Sequence, residues 1–83
     1  MSHADLPPTT KTAALPSSSA LTGSRIRQRR SALGMRQADL AKAVEISPSY
    51  LNLIEHGRRR IGGKLLVDIA RALSVEPTAL SSG

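Results

Sequence analysis

Three consecutive arginines, Arg58, Arg59 and Arg60, directly follow a segment that carries its own start and stop signals. Guanidinium groups bind phosphate oxygens through charge-assisted hydrogen bonds, so this triplet is suited to a polyanion. The segment before it is predicted to be a short helix, Pro48 to about His56. Ser47 is placed to cap it, Pro48 suits the first helical position, and Ile46 can pack on Leu51 as a hydrophobic staple. Gly57 is placed to stop it. If Leu51 and Ile54 face a core, then Ser49, Tyr50 and Leu53 share the opposite face, with Asn52 at its edge.

That outward set has the chemistry to read base edges. Ser49 can donate to or accept from several of them, and Tyr50 can use its hydroxyl or rest its ring on a thymine methyl. Leu53 offers apolar contact only, again suited to a thymine methyl. Asn52 suits an adenine edge or a phosphate. With Pro48, which opens the helix, these five residues are the candidate base contacts. Arg36, Gln37, Ser47, Arg58, Arg59 and Arg60 are the candidate phosphate contacts. Taken singly, each is equally an ordinary surface side chain; the case rests on their sharing one side of one short helix.

Other chemistries find little support. The two histidines, His3 and His56, are far apart, and the chain has no cysteine, so no metal-ligand set is expected. The acidic residues form no catalytic pair, and no Gly-rich phosphate loop follows a strand. The reading is therefore of a protein that is not an enzyme and needs no cofactor. No apolar run is long enough to span a membrane, and the absence of cysteine suits a reducing cytoplasm.

The chain has 83 residues and a formal net charge of +6, and the whole excess falls in residues 25–83. Four of the six positions from 25 to 30 are arginine. Tyr50 is the sole aromatic residue, so no platform exists for stacking several unpaired bases. Duplex DNA is thus favoured over single strands.

These candidate contacts need elements to hold them. Residues 1–23, rich in Pro, Ser, Thr and Ala, read as a disordered tail whose only cation is Lys11. Helical spacing begins near Ser24, with Thr22 or Ser24 as cap and Gly34 as stop, and with Ile26, Arg30 and Leu33 on one inward stripe. A second helix, about Gln37 to Val44, points Leu40, Ala41 and Val44 inward. The third, opened by Pro48, buries Leu51, Ile54 and Glu55. A fourth, near Lys64 to Ser74, carries Leu65, Leu66, Ile69, Ala70 and Leu73 on a broad apolar face. Pro77 can open a last short turn that seats Leu80. The expected fold is all-α, a compact domain of four or five helices over 24–80, with 81–83 as a C-terminal tail.

Arg30 and Glu55 both fall on inward stripes. A lone charge facing a core is costly, so the two are expected to meet as a buried, hydrogen-bonded ion pair. The alternative is that both side chains snorkel out to water.

Gln37, Leu40-Ala41, Ile46-Ser47, Leu51, Ile54-Glu55 and Gly57, in that spacing, resemble the helix-turn-helix of the Cro and lambda-repressor-like, or xenobiotic-response-element, proteins. The resemblance covers residues 24 to about 80. The stretch ISPSYLNLIEHGRR is similar to bacterial metabolic regulators of the short-chain fatty-acyl type. It implies that the third helix lies in the major groove and the second crosses the sugar-phosphate backbone, with Gln37 buttressing the third helix and bonding a phosphate. Two positions depart from the family pattern. Arg36 stands where a capping threonine or serine is usual, and Glu45 stands where the turn between the two helices usually holds a left-handed glycine.

The expected function is sequence-specific duplex-DNA binding by a transcriptional regulator, a repressor in the first instance, in the cytoplasm. One such module spans few base pairs, so a homodimer on a pseudo-palindromic operator is expected, with the fourth helix and the segment around Val75 and Leu80 as its surface; the alternative is that these residues simply close the core. An antitoxin that grips a toxin and represses its own operon would use the same fold. A module that contacts only proteins would not need this arginine density.

Overall fold

The computed structural model describes residues 18–81, which form five helices and, among the described residues, no strand. In chain order these are α1 (Ser18–Ala32), α2 (Gln37–Ala43), α3 (Pro48–Glu55), α4 (Gly63–Ala72) and α5 (Pro77–Ser81). α1 packs on α3 and α5, α2 on α3 and α4, and α4 on α5. One core results: Ile26 from α1, Leu40 and Ala41 from α2, Leu51 and Ile54 from α3, Ile69, Ala70 and Leu73 from α4 and its end, and Leu80 from α5.

The expected all-α architecture stands, and three details of it change. First, α1 begins at Ser18, six residues before the predicted start. Thr22 and Ser24 are therefore not caps but interior helical residues, and Thr22 is buried. Residues 18–23, expected to belong to the tail, are part of the helical domain, whereas residues 1–17 of that tail lie outside the described residues. Ser81 likewise belongs to α5, and residues 82 and 83 lie outside the described residues.

Second, Leu33 is 47% exposed and not in the core. The helix ends one residue earlier, and the chain turns through Gly34 at φ +69°, which takes Leu33 off the inward stripe. Met35 packs against the core instead.

Third, Leu80 is 2% exposed and closes the core, so it has no surface left to offer a second copy. Of the residues proposed for that surface, Val75 is half-buried, and Val67 on α4 is the more exposed apolar side chain at 40%.

The first four helices all stop in the same way. After each, one residue takes a left-handed conformation: Gly34, Glu45 (φ +61°), Gly57 (φ +74°) and Ser74 (φ +58°). In each case the next N–H reaches back to a carbonyl of the last turn, as in Met35 to Arg30 (3.0 Å), Ile46 to Ala41 (2.9 Å), Arg58 to Leu53 (2.8 Å) and Val75 to Ala70 (2.9 Å). This is the Schellman motif, which satisfies carbonyls that the helix leaves unpaired. It accounts for the tight turn between α2 and α3 despite the absence of glycine there. Met35, Ile46 and Val75, which complete three of the four motifs, are apolar and packed on the core. Arg58 completes the fourth and is exposed.

Candidate nucleic-acid interface

The start of α3 is built by its own side chains. The Ser47 hydroxyl accepts from the Tyr50 backbone N–H at 3.0 Å, and Pro48 occupies the first helical position. Ile46 and Leu51 both pack in the core, the first half-buried and the second with no exposure. Leu51, Ile54 and Glu55 turn inward, which leaves Pro48, Ser49 and Asn52 exposed and Leu53 half-buried. Tyr50 is not fully on that outer side: it is half-buried and packs against the core.

At about 100° per residue, the direction opposite the core falls between Asn52 and Leu53, and His56 lies there with Ser49. His56 is exposed, and its Nδ1 lies 2.9 Å from the Asn52 carbonyl. A carbonyl only accepts, so the contact is a hydrogen bond in the tautomer that carries the proton on Nδ1. In the sequence His56 stands out only as a possible metal ligand; the signal for its placement is the i, i+3, i+4, i+7 spacing from Ser49 through Asn52 and Leu53.

α2 is held to α3 by a buried polar cluster. Arg30 donates from Nε to Glu55 Oε2 at 2.7 Å and from Nη2 to Glu55 Oε1 at 3.0 Å, while its Nη1 donates to the Met35 carbonyl at 2.9 Å. Gln37 Nε2 adds a third donor to Glu55, at 3.1 Å from Oε1. The structure thus brings Arg30, Gln37 and Glu55 together across α1, α2 and α3. The Glu55 side chain is 1% exposed and that of Arg30 14%. The bond to Glu55 raises the Arg30 guanidinium pKa, burial opposes the rise, and Coulomb attraction to Glu55 adds to it. Because Gln37 must present its amino group to the carboxylate, the rotamer of the first α2 side chain is fixed. Gln37 itself is half-buried.

Arg36 precedes α2 with extended backbone (φ −80°, ψ 157°) and gives no side-chain cap. The missing cap is replaced from the other side. Asp39 Oδ2 accepts from the Arg36 backbone N–H at 3.1 Å and lies 3.6 Å from its Nε. The Arg36 side chain remains 87% exposed, so this surface pair holds it weakly. Arg58, Arg59 and Arg60 are exposed and form no ion pair with any described residue. Arg29 is engaged elsewhere: its Nε donates to the Leu73 carbonyl at 3.3 Å, at the end of α4.

Among the described residues no three His, Cys, Asp or Glu side chains are grouped to hold a metal ion, and no helix is long and apolar enough to cross a membrane. A capped second helix with an exposed polar face, locked to a preceding helix and followed by free cations, defines a helix-turn-helix DNA-binding domain. A family model described as helix-turn-helix matches residues 26–80, and the chain belongs to that family, the Cro and lambda-repressor-like, xenobiotic-response-element type.

Relatives and solved structures agree. The HTH-type transcriptional regulator RamB of Mycobacterium tuberculosis is 47% identical over 60 residues, 72% of this chain but 13% of that protein. An uncharacterized transcriptional regulator in the ATPase CF(0) region of Rhodospirillum rubrum is 45% identical over 53 residues, 64% of this chain and 49% of that protein. The chain therefore spans half or less of the length of these relatives. Among solved structures, the clp gene regulator ClgR of Corynebacterium glutamicum superposes with a TM-score of 0.77 at 29% identity, over 78% of this chain and 69% of that one. The restriction-modification controller protein C.AhdI of Aeromonas hydrophila gives 0.71 at 33% identity, over 74% of this chain and 92% of that one.

Proposed function

We propose that this chain binds duplex DNA sequence-specifically in the cytoplasm as the reading head of a transcriptional regulator, with α3 in the major groove. The reading is supported above all by the side of α3 that no other described element covers, where Ser49, Asn52 and His56 are exposed beside Leu53, next to three arginines without an ion-pair partner among the described residues. Pro48, Ser49, Tyr50, Asn52 and Leu53 contact base edges, with Tyr50 reaching from the flank, and His56 joins them at the far end. Arg36, Gln37, Ser47, Arg58, Arg59 and Arg60 hold phosphates. Gln37 serves because one amide hydrogen is used by Glu55 and the other is available.

Such a domain contacts too few base pairs to be selective alone, so it acts as a homodimer on a pseudo-palindromic site and represses by occupying it. Val67, the exposed apolar side chain of α4, and the half-buried Val75 are the surface on which the copies meet.

The test is selection of bound sequences from a random duplex pool, followed by titration of the winner at two salt concentrations. A two-fold symmetric consensus and an affinity that falls steeply with salt are expected. Failure to enrich any sequence, or affinity indifferent to salt, would overturn the reading.

A further inference from the structure

The helix-turn-helix match begins at Ile26, yet α1 begins at Ser18, so the first two turns of α1 precede the family pattern. Those turns lie against the exit of α3. A Cβ placed on Gly57 would fall 2.8 Å from the Ala20 Cα and 3.1 Å from its N and Cβ. A Cβ on Gly23 would press on the backbone carbonyls of Ile54 and Glu55, within 2.7 Å of the Glu55 oxygen. Ser19 and Thr22 line the same groove as Arg60 and Ile61.

Three helix ends are anchored by an apolar residue after the left-handed turn; the fourth has Arg58 there, exposed. The end of α3 therefore lacks the anchor its counterparts have, and Ala20 of α1 lies against its left-handed residue, Gly57.

We infer that the first turns of α1, through Ala20 against Gly57 and Gly23 against the Ile54 and Glu55 carbonyls, are a positioning element that fixes the direction of the Arg58–Arg60 loop toward the phosphates. This rests on the DNA-binding reading above. Ala20 and Gly23 touch no DNA in this account; they act through the arginines.

The test is a double-mutant cycle on the chain as it stands, using a duplex of arbitrary sequence. Ala20→Leu should weaken binding about tenfold and make the plot of log affinity against log salt shallower by about one for each phosphate that the arginines no longer neutralise. In an Arg58→Ala, Arg59→Ala, Arg60→Ala background the same substitution should change affinity less than twofold. A merely structural role would lower the melting temperature while leaving the salt slope of the folded protein unchanged. That result, or an equal loss in both backgrounds, would overturn the inference. Where Ala20→Leu fails to fold, as read by circular dichroism, Ala20→Gly runs the same cycle by removing the methyl group that faces Gly57. If the unmodified chain shows no salt-dependent duplex binding, the DNA reading itself falls; if it binds and the cycle shows no coupling, only the positioning role falls.

Discussion

Glu45 carries a local conflict between residue type and backbone. It occupies a left-handed position that two equivalent helix ends fill with glycine, and a side chain there is disfavoured by roughly 1 kcal/mol. Glu45→Gly should therefore raise stability by up to about 1 kcal/mol, less the extra chain entropy glycine brings to the unfolded state. Thermal or urea denaturation measures it; a clear loss of stability would show that Glu45 holds something its backbone does not reveal. Ser74→Gly offers the same comparison at the end of α4.

The Arg30–Glu55 pair makes a sharper prediction. With Glu55 buried, Arg30→Met strands a carboxylate and should destabilise by about 3 kcal/mol, whereas Arg30→Met with Glu55→Leu should cost well under half of that. Equal losses would mean that the pair is not mutually dependent. A guanidinium pKa that folding raises gives stability that is full at all pH values below the ordinary guanidinium range and fades only above it. Arg30 therefore adds no slope to stability between about pH 5 and pH 9, as denaturation midpoints across that range would show.

At the scale of elements, the contact between α1 and α3 reverses an ordinary rule. Glycine inside a helix is normally improved by alanine, by roughly 0.5–1 kcal/mol. At Gly23 the added methyl would meet the carbonyls of Ile54 and Glu55, which are backbone and cannot swing aside. Gly23→Ala should lower stability, by about 1–3 kcal/mol as for other overpacked sites. A stabilised variant would show that the two helices can separate freely. α3 and the loop after it divide into readers and anchors. Asn52→Ala should change which sequences win a selection, while Arg59→Ala should weaken all of them alike and reduce the salt slope by about one. A uniform shift from both would erase that division.

The assembled domain is small, and its cations divide between two uses: some hold the fold and some are left over. Arg30 is consumed inside and Arg29 caps α4, while Arg58, Arg59 and Arg60 have no partner among the described residues. For the whole molecule, self-association is expected to depend on the apolar surface of α4. Sedimentation of the free chain and of the chain with its selected duplex should show two copies per symmetric site, and Val67→Lys should reduce this to one. Two copies bound irrespective of that substitution would place the contact elsewhere.

Periodicity and capping chemistry made α2, α3, α4 and α5 legible in the amino-acid order, because each has an apolar stripe, a start signal or a stop that acts within a few residues. The ion pair was legible too, since two charges on inward stripes have few other solutions. The start of α1 was not: apart from Leu21, Ser18–Ser24 shows polar, small and turn-prone residues, and what its own composition does not announce is the close packing of its backbone on the end of α3. Likewise, nothing local decides that Met35 and not Leu33 takes the place on the core. Those outcomes depend on which distant segment arrives, a long-range packing matter that no short window of residues encodes.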